Sequence, residues 1–318
     1  MSAEPKLNDG LGRAIHPRVV ACAVCALLAT GAASAVETVS FESLDADLTG
    51  GKPTTIQAAL FKPPGAGPFG AVVLLHGCGG LSHGQGRHKG EITSRHAEWA
   101  ERLAKAGYVV LLPDSFTPRG VHESCTVKDR PVDSSRERPR DAYGALLWLQ
   151  RQRYVKANRV ALMGWSNGGG TVLHTIAAES PVRPSALPNG NFRAAVAFYP
   201  GCSSPETSAG AHRPATSTAS SAWRTSVPLM ILQGEADDWT PAAPCRDLVA
   251  AAAARGEPIE YHSYAGAYHD FDAPNTKVHT RSGLARAPGG IAHVGTNPAA
   301  RDDAFKRVPN FLRERLGP

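Results

Sequence analysis

A serine hydroxyl becomes a nucleophile when the chain strains it outward at the apex of a turn. Gly164-Trp165-Ser166-Asn167-Gly168-Gly169-Gly170 offers such a serine. The apolar run Arg159 to Met163 before it reads as a strand, and Thr171 to Ala178 after it reads as a helix. Strand, sharp turn and helix around G-x-S-x-G is the arrangement that exposes a serine above a sheet. Gly164 and Gly168 permit close backbone approach on either side of it. The helix N-terminus behind the serine supplies N–H donors and the positive end of a dipole. Small residues also cluster in ordinary loops, so the motif needs partners elsewhere in the chain.

At neutral pH a serine hydroxyl requires a base, and the base requires an orienting acid. Gln233 to Pro241 follows an apolar strand pattern and contains Asp237 and Asp238. Ala265 to Phe271 follows the last strand pattern and contains His269. Serine, acid and histidine therefore occur in an order that this chemistry uses. An aspartate after a strand is otherwise a helix cap, and a lone histidine a surface residue; it is the joint order that favours catalysis. Both aspartates fit. Asp237 is the preferred acid, with Asp238 left to cap the next helix. An oxyanion needs two backbone N–H donors. Asn167 follows the nucleophile, and Cys78 lies in the glycine-rich His76-Gly77-Cys78-Gly79-Gly80 loop after an early strand.

The elements that must position these residues alternate. Thr38–Phe41 and Thr54–Phe61 read as early antiparallel strands. Gly70–His76, Tyr108–Leu112, Phe192–Tyr199, Leu229–Gln233 and Ile259–Tyr264 read as later strands. Helices are expected over Thr93–Ala106, after Arg140, over Ala242–Ala254 and after Asn297-Pro298. Fully apolar middle strands indicate a parallel sheet covered on both faces, an α/β fold in one domain over residues 36–318. Phe271 to Thr296 is Gly/Pro-rich and nonperiodic, a lid, a rim or a loose segment. Ser203 to Ser226 reads as a long surface loop.

The 318 residues carry a net charge of +6, spread along the chain, and 42% are hydrophobic. That excludes wholesale disorder, and the absence of a basic stripe argues against a nucleic-acid partner. Arg13, His16 and Arg18 precede an apolar stretch, Val19 to Ala33, and Ala33-Ser34-Ala35 resembles a cleavage site. Residues 1–35 are therefore expected to be a signal peptide. The mature protein is expected in the periplasm or secreted, without a membrane span. Cys22 and Cys25 fall inside the leader. The remaining four cysteines suggest disulfides, and loop positions favour Cys78–Cys125 and Cys202–Cys245. His83, His88 and His96 lack compact ligand spacing, so no metal is expected. Trp165, Tyr199 and Trp239 adjoin the site and are candidates to line a substrate pocket. Arg119 is read as a surface salt-bridge partner rather than a substrate-carboxylate ligand.

Several of these segments resemble the dienelactone hydrolase family of the α/β-hydrolase superfamily. They are Leu74 to Gly80, Pro113-Asp114-Ser115-Phe116, Gly164 to Gly169, Phe198-Tyr199-Pro200-Gly201 and Gly234 to Pro241. The resemblance spans about residues 54–315. The Gly-x-x-Asp-x-x-x-Pro spacing from Gly234 to Pro241 matches the family's acid to Asp237. It implies an α/β-hydrolase fold and cofactor-free cleavage of a carboxylic ester or lactone, on a small or polymeric substrate, through an acyl-enzyme. The founding enzymes carry a cysteine nucleophile and a glutamate in the early loop. Ser166 and His76-Gly77-Cys78 stand here instead, so a general exported carboxylesterase is expected rather than a true dienelactone hydrolase. A peptidase or acyltransferase on the same fold ranks below this, and a non-catalytic binding module lower still.

Overall fold

Five nearly pure apolar runs form the middle of one sheet. A computed structural model describes residues 36–84, 86–202 and 223–317. The expected leader and most of the Ser/Thr/Ala-rich segment lie outside these residues. In chain order the strands are β1 (Glu37–Glu42), β2 (Thr55–Phe61), β3 (Phe69–Leu75), β4 (Val109–Pro113), β5 (Val155–Trp165), β6 (Ala194–Phe198), β7 (Leu229–Gly234) and β8 (Ile259–Tyr264). They lie side by side in the order β1-β2-β4-β3-β5-β6-β7-β8. Only β2 runs against its neighbours; from β4 to β8 every pairing is parallel.

Alternate side chains of each strand feed opposite cores, as a pleat requires. Val73, Leu75, Leu162, Ala197 and Ile231 point to one face. There they meet α2 (Glu137–Gln150), α3 (Asn167–Ile176) and α4 (Ala242–Ala253). Val72, Leu74, Met163, Phe198 and Leu232 point to the other face, against α1 (Ser94–Lys105) and α5 (Pro298–Leu316). Each fully buried Leu, Ile or Phe contributes on the order of 1.5–3 kcal/mol. Asn297 caps α5, its side chain accepting the Ala300 N–H at 3.1 Å, with Pro298 in the first turn. The mostly parallel sheet with helices on both faces is an α/β-hydrolase fold.

The strand order turns at the centre. From β3 the chain crosses to β4 on one side, and from β5 onward it adds strands on the other. The loops after β3 and β5 therefore emerge together at the carboxyl edge, which is where open α/β sheets hold ligands.

Some elements differ from the sequence reading. The elbow helix begins at Asn167 rather than Thr171, so Gly168, Gly169 and Gly170 are helical. The segment from Phe271 to Thr296 is not shapeless. It contains an antiparallel hairpin of β9 (His279–Ser282) and β10 (Ile291–Val294). Its strands are only four residues each and pair outside the main sheet, with just Ala292 and Val294 of β10 turned inward. Arg119 is not a surface residue. It is mostly buried and donates to Asp141 at 2.8 and 2.9 Å and to Asp45 at 2.8 Å. Asp238 does not cap α4, whose N-cap position is Pro241.

Candidate active site

Ser166, between the end of β5 and the start of α3, has φ 52° and ψ −114°, a backbone state that costs about 1–3 kcal/mol for a side-chain-bearing residue. Two hydrogen bonds hold it there. Its N–H donates to the Phe198 carbonyl at 2.9 Å, and its carbonyl accepts from the Gly170 N–H at 2.8 Å. A Cβ on Gly168 would lie 2.2 Å from the Leu75 carbonyl oxygen, so only glycine lets α3 start this close to β3. Because the Ser166 carbonyl points along the helix, the N–H of the same peptide unit, on Asn167, points the opposite way. It sits at the helix start, where no intrahelical acceptor exists.

The loop after β3 is fixed in the same manner. The His76 ring is fully buried and donates from Nδ1 to the Gly77 carbonyl at 2.8 Å. The Gly77 carbonyl shares a peptide plane with the Cys78 N–H, which is thereby directed away from it. The Cys78 carbonyl accepts from the Ser124 N–H at 2.8 Å. The Cys78 N–H has no hydrogen-bond acceptor among the described residues. Burial, with Arg138 adding to it, holds the His76 pKa well below the ordinary histidine value, so the ring is neutral.

Asp237 and His269 meet across the ends of β7 and β8. Their loops cross so closely that a Cβ on Gly234 would lie 2.3 Å from the Ala267 carbonyl oxygen. His269 Nδ1 donates to Asp237 Oδ2 at 2.8 Å. The other Asp237 oxygen accepts the N–H groups of Trp239 and Thr240 at 2.9 and 2.8 Å. Thr240 Oγ1 lies 3.0 Å from Asp237 Oδ2 and 3.1 Å from His269 Nδ1. Asp238, by contrast, faces outward and binds His293 on β10, through its N–H at 2.8 Å and Nδ1 at 2.7 Å. His269 Nε2 is buried and has no hydrogen-bond partner among the described residues.

Two cavities open beside Ser166. The smaller, about 90 Å3, is lined by both Ser166 and His269, with Cys78, Trp239, Arg95 and Arg281. The larger, about 260 Å3, is lined by Ser166, Asn167, Cys78, Trp239, Arg130 and Arg286. No hydrogen bond joins Ser166 Oγ to His269 Nε2 in this structure. Trp239 lines both cavities and packs on His269, ring centroids 4.7 Å apart. Trp165 borders the smaller cavity but stacks on Phe198 in the core. Tyr199 is a correction to the pocket reading. It is fully buried, lines neither cavity, and packs behind His269 at 4.5 Å between ring centroids.

The residues 56–316 match the model of the Dienelactone hydrolase family. The chain belongs to the dienelactone hydrolase family. No curated protein matches the sequence. Among solved structures, an esterase from Thermogutta terrifontis phosphoramylated by tabun is similar at 18% identity and TM-score 0.59, covering 89% of this chain and 96% of that one. A dienelactone hydrolase-like promiscuous phosphotriesterase from metagenomic libraries has the same identity and TM-score, covering 89% and 100%. Dipeptidyl peptidase 4 from Porphyromonas gingivalis, at 17% identity and TM-score 0.59, is covered over 36% of its chain and covers 90% of this one. At these identities the likeness is one of fold.

For a family member, this site has supporting residues that sequence reading passed over. Asp272 accepts from Trp99 and Trp165, both at 2.8 Å, and from the Tyr199 hydroxyl at 2.6 Å. It thus ties α1, the elbow and β6 to the loop that carries His269. Arg95 donates to the Tyr199 hydroxyl and to Asp270; against the cost of burial, Arg95 and His269 hold the Asp270 pKa down at about 2. No spacing rule marks such contacts, because their partners lie more than seventy residues away. His88 pairs with Glu91 and His96 with Thr93. Among the described residues no group of three or more His, Cys, Asp or Glu could hold a metal ion.

Disulfides join Cys78 to Cys125 and Cys202 to Cys245. The first spans 47 residues and anchors the loop that carries the Cys78 N–H. Cys125→Ser is expected to lower unfolding free energy by roughly 2–5 kcal/mol in denaturant titration. An unchanged midpoint would mean that the bond does not constrain this loop.

Proposed function

We propose that the protein is a serine hydrolase that cleaves carboxylic esters or lactones through an acyl-enzyme, without a cofactor. The observation that carries this reading is the buried Asp237–His269 contact at 2.8 Å beside a cavity that Ser166 and His269 both line. Ser166 Oγ attacks the ester carbonyl carbon as its proton passes to His269 Nε2. That nitrogen is free to accept because Nδ1 carries the hydrogen donated to Asp237. The oxygen that gains charge is held by the N–H groups of Cys78 and Asn167, each worth roughly 100- to 1000-fold in rate. The intermediate collapses by breaking the bond to the leaving oxygen, which takes the proton from Nε2. Water then repeats the sequence on the acyl-enzyme and frees Ser166.

Burial opposes charge on His269, but the Asp237 and Asp270 carboxylates favour it more strongly, so the pKa is raised above the ordinary histidine value. The base works only when neutral. Activity is therefore lost as pH falls through a value above the ordinary imidazole range. The family match, with Ser166 in place of the founders' cysteine, supports ester hydrolysis as a class and leaves the substrate open. Trp239 and the polar walls at Arg95, Arg130, Arg281 and Arg286 would meet that substrate.

The two disulfides support an exported protein, since such bonds persist in oxidising compartments. We take residues 1–35 as the signal peptide and 36–318 as the single mature domain. No helix among the described residues is long and apolar enough to cross a membrane.

A fluorophosphonate probe is expected to label the wild type and not Ser166→Ala, and p-nitrophenyl esters should be hydrolysed in preference to peptides. Labelling of both proteins would remove Ser166 from the role, and cleavage of peptides alone would overturn the esterase reading. Asp237→Asn is expected to lower turnover on the order of 10^4-fold and to move the acid limb of the rate profile to lower pH. Asp238→Asn should leave both near wild type; equal losses would refute Asp237 as the acid. N-terminal sequencing of protein recovered from the periplasm or medium should begin at Val36. Recovery of the intact chain from the cytoplasm alone would exclude the leader.

A further inference from the structure

Arg138 is the second residue of α2 and has no exposed surface. Burying a guanidinium is costly unless a carboxylate neutralises it. The first turn of a helix is also the wrong end of the dipole for a cation. Asp141, three residues on, would be a natural partner, but both of its oxygens are held by Arg119. Among the described residues no carboxylate lies within ion-pair distance of Arg138. A cation so placed needs a reason outside local stability.

Its contacts supply one. Nη1 donates to the side-chain oxygen of Asn167, and Nη2 donates to the His76 carbonyl at 2.7 Å. The guanidinium also sits 5.3 Å from the centroid of the Phe116 ring, which packs against His76. Asn167 carries one of the two N–H groups assigned to the oxyanion. The His76 carbonyl begins the loop that carries the other, on Cys78. One buried side chain thus bridges the two arms, which come from different strand–loop units, His76 and Asn167 being 91 residues apart in sequence.

We propose that Arg138 is a positioning residue that holds both arms of the oxyanion site in one frame, and that its unneutralised charge is matched by the negative charge that develops on the substrate's carbonyl oxygen. This rests on the serine hydrolase reading. Arg138 acts through Asn167, through the His76 peptide and through its field, not by touching substrate. Burial pushes its pKa down to about 9; the more distant Asp141 and Asp114 carboxylates oppose that fall, while Arg130 and Arg119 add to it. It remains charged at neutral pH, at a cost that a nearby anion relieves. The neutral His76 adds no charge of its own.

Fluorophosphonate labelling reads the proposal without knowledge of the natural substrate, because phosphonylation also drives charge onto an oxygen at this site. Labelling rates per folded molecule would be compared for wild type, Arg138→Met, Arg138→Lys, Asn167→Ala and the Met/Ala double variant. Turnover of p-nitrophenyl acetate and thermal melting would be followed alongside. Arg138→Met is expected to slow labelling and kcat by about tenfold or more, with KM within about threefold of wild type. Arg138→Lys should recover part of the loss, since an ammonium keeps the charge but cannot span both acceptors. The double variant should be no slower than Arg138→Met, because both changes cut one link. A labelling rate for Arg138→Met within about twofold of wild type, at whatever melting temperature, would overturn the proposal. Should that variant not fold, a normal rate in Asn167→Ala would overturn it equally, as that side chain is the link to the elbow. Failure of the wild type itself to be labelled would instead refute the hydrolase reading.

Discussion

The close approach of Gly168 to the end of β3 is the contact on which the site depends. A single methyl there would lie 2.2 Å from the Leu75 carbonyl oxygen, so α3 can begin where it does only over glycine. That approach sets the strained serine beside the His76–Gly80 loop. It also follows from the sheet, because β3 and β5 are neighbours at the point where the strand order turns. Parallel strands then bring the ends of β6, β7 and β8 to the same edge. The convergence of serine, aspartate and histidine loops is thus a property of backbone topology before any of their side chains interact.

Within that frame, direction is set by peptide planes and buried charge. The Ser166 and Gly77 carbonyls are each hydrogen-bonded, and a planar peptide then leaves its N–H no choice of direction. Asp237 gathers donors from His269, Trp239 and Thr240, which fixes the imidazole in one tautomer. Asp272 satisfies two indoles and a phenol at once and so locks the wall behind His269. Buried polar groups that are fully bonded in this way rigidify their surroundings.

The rim is built differently. Cys78, Cys125, Trp239, Leu284, Ala292 and Val294 form a small apolar cluster apart from the two main cores. It joins the early loop, the segment after β4, the loop after β7 and the β9–β10 hairpin. The hairpin is anchored by the Ala285 N–H to the Cys125 carbonyl at 2.9 Å and by the Gly295 N–H to the His269 carbonyl at 3.0 Å. Arg281 and Arg286 reach the cavities from this hairpin, so part of the cavity walls comes from outside the main sheet.

Much of this was legible in the residues because the signals are local. Apolar runs of strand length gave the central sheet, and Ile259–Tyr264 has the bounds expected from its sequence. G-x-S-x-G between a strand and a helix pointed to Ser166, and the Gly234–Pro241 spacing, through its resemblance to the family, favoured Asp237 over Asp238. Cysteine positions favoured the two pairings that the fold brings together. What the sequence left open depends on partners distant in the chain. Arg138 sits before the helix expected after Arg140, in a position no local signal marks, and only packing against the elbow buries it. Arg119 reads as a surface cation until Asp45 and Asp141 close on it. Tyr199 adjoins the nucleophile strand and looks like a pocket wall, yet the Asp272 carboxylate draws its hydroxyl into the core. The β9–β10 strands are four residues each, too short for their period to register, and only Ala292 and Val294 turn inward. The sequence by itself therefore determined the fold class and the chemical groups. The tertiary structure decided which of them share a cavity, because burial and long-range hydrogen bonds are set by topology and not by neighbours in the chain.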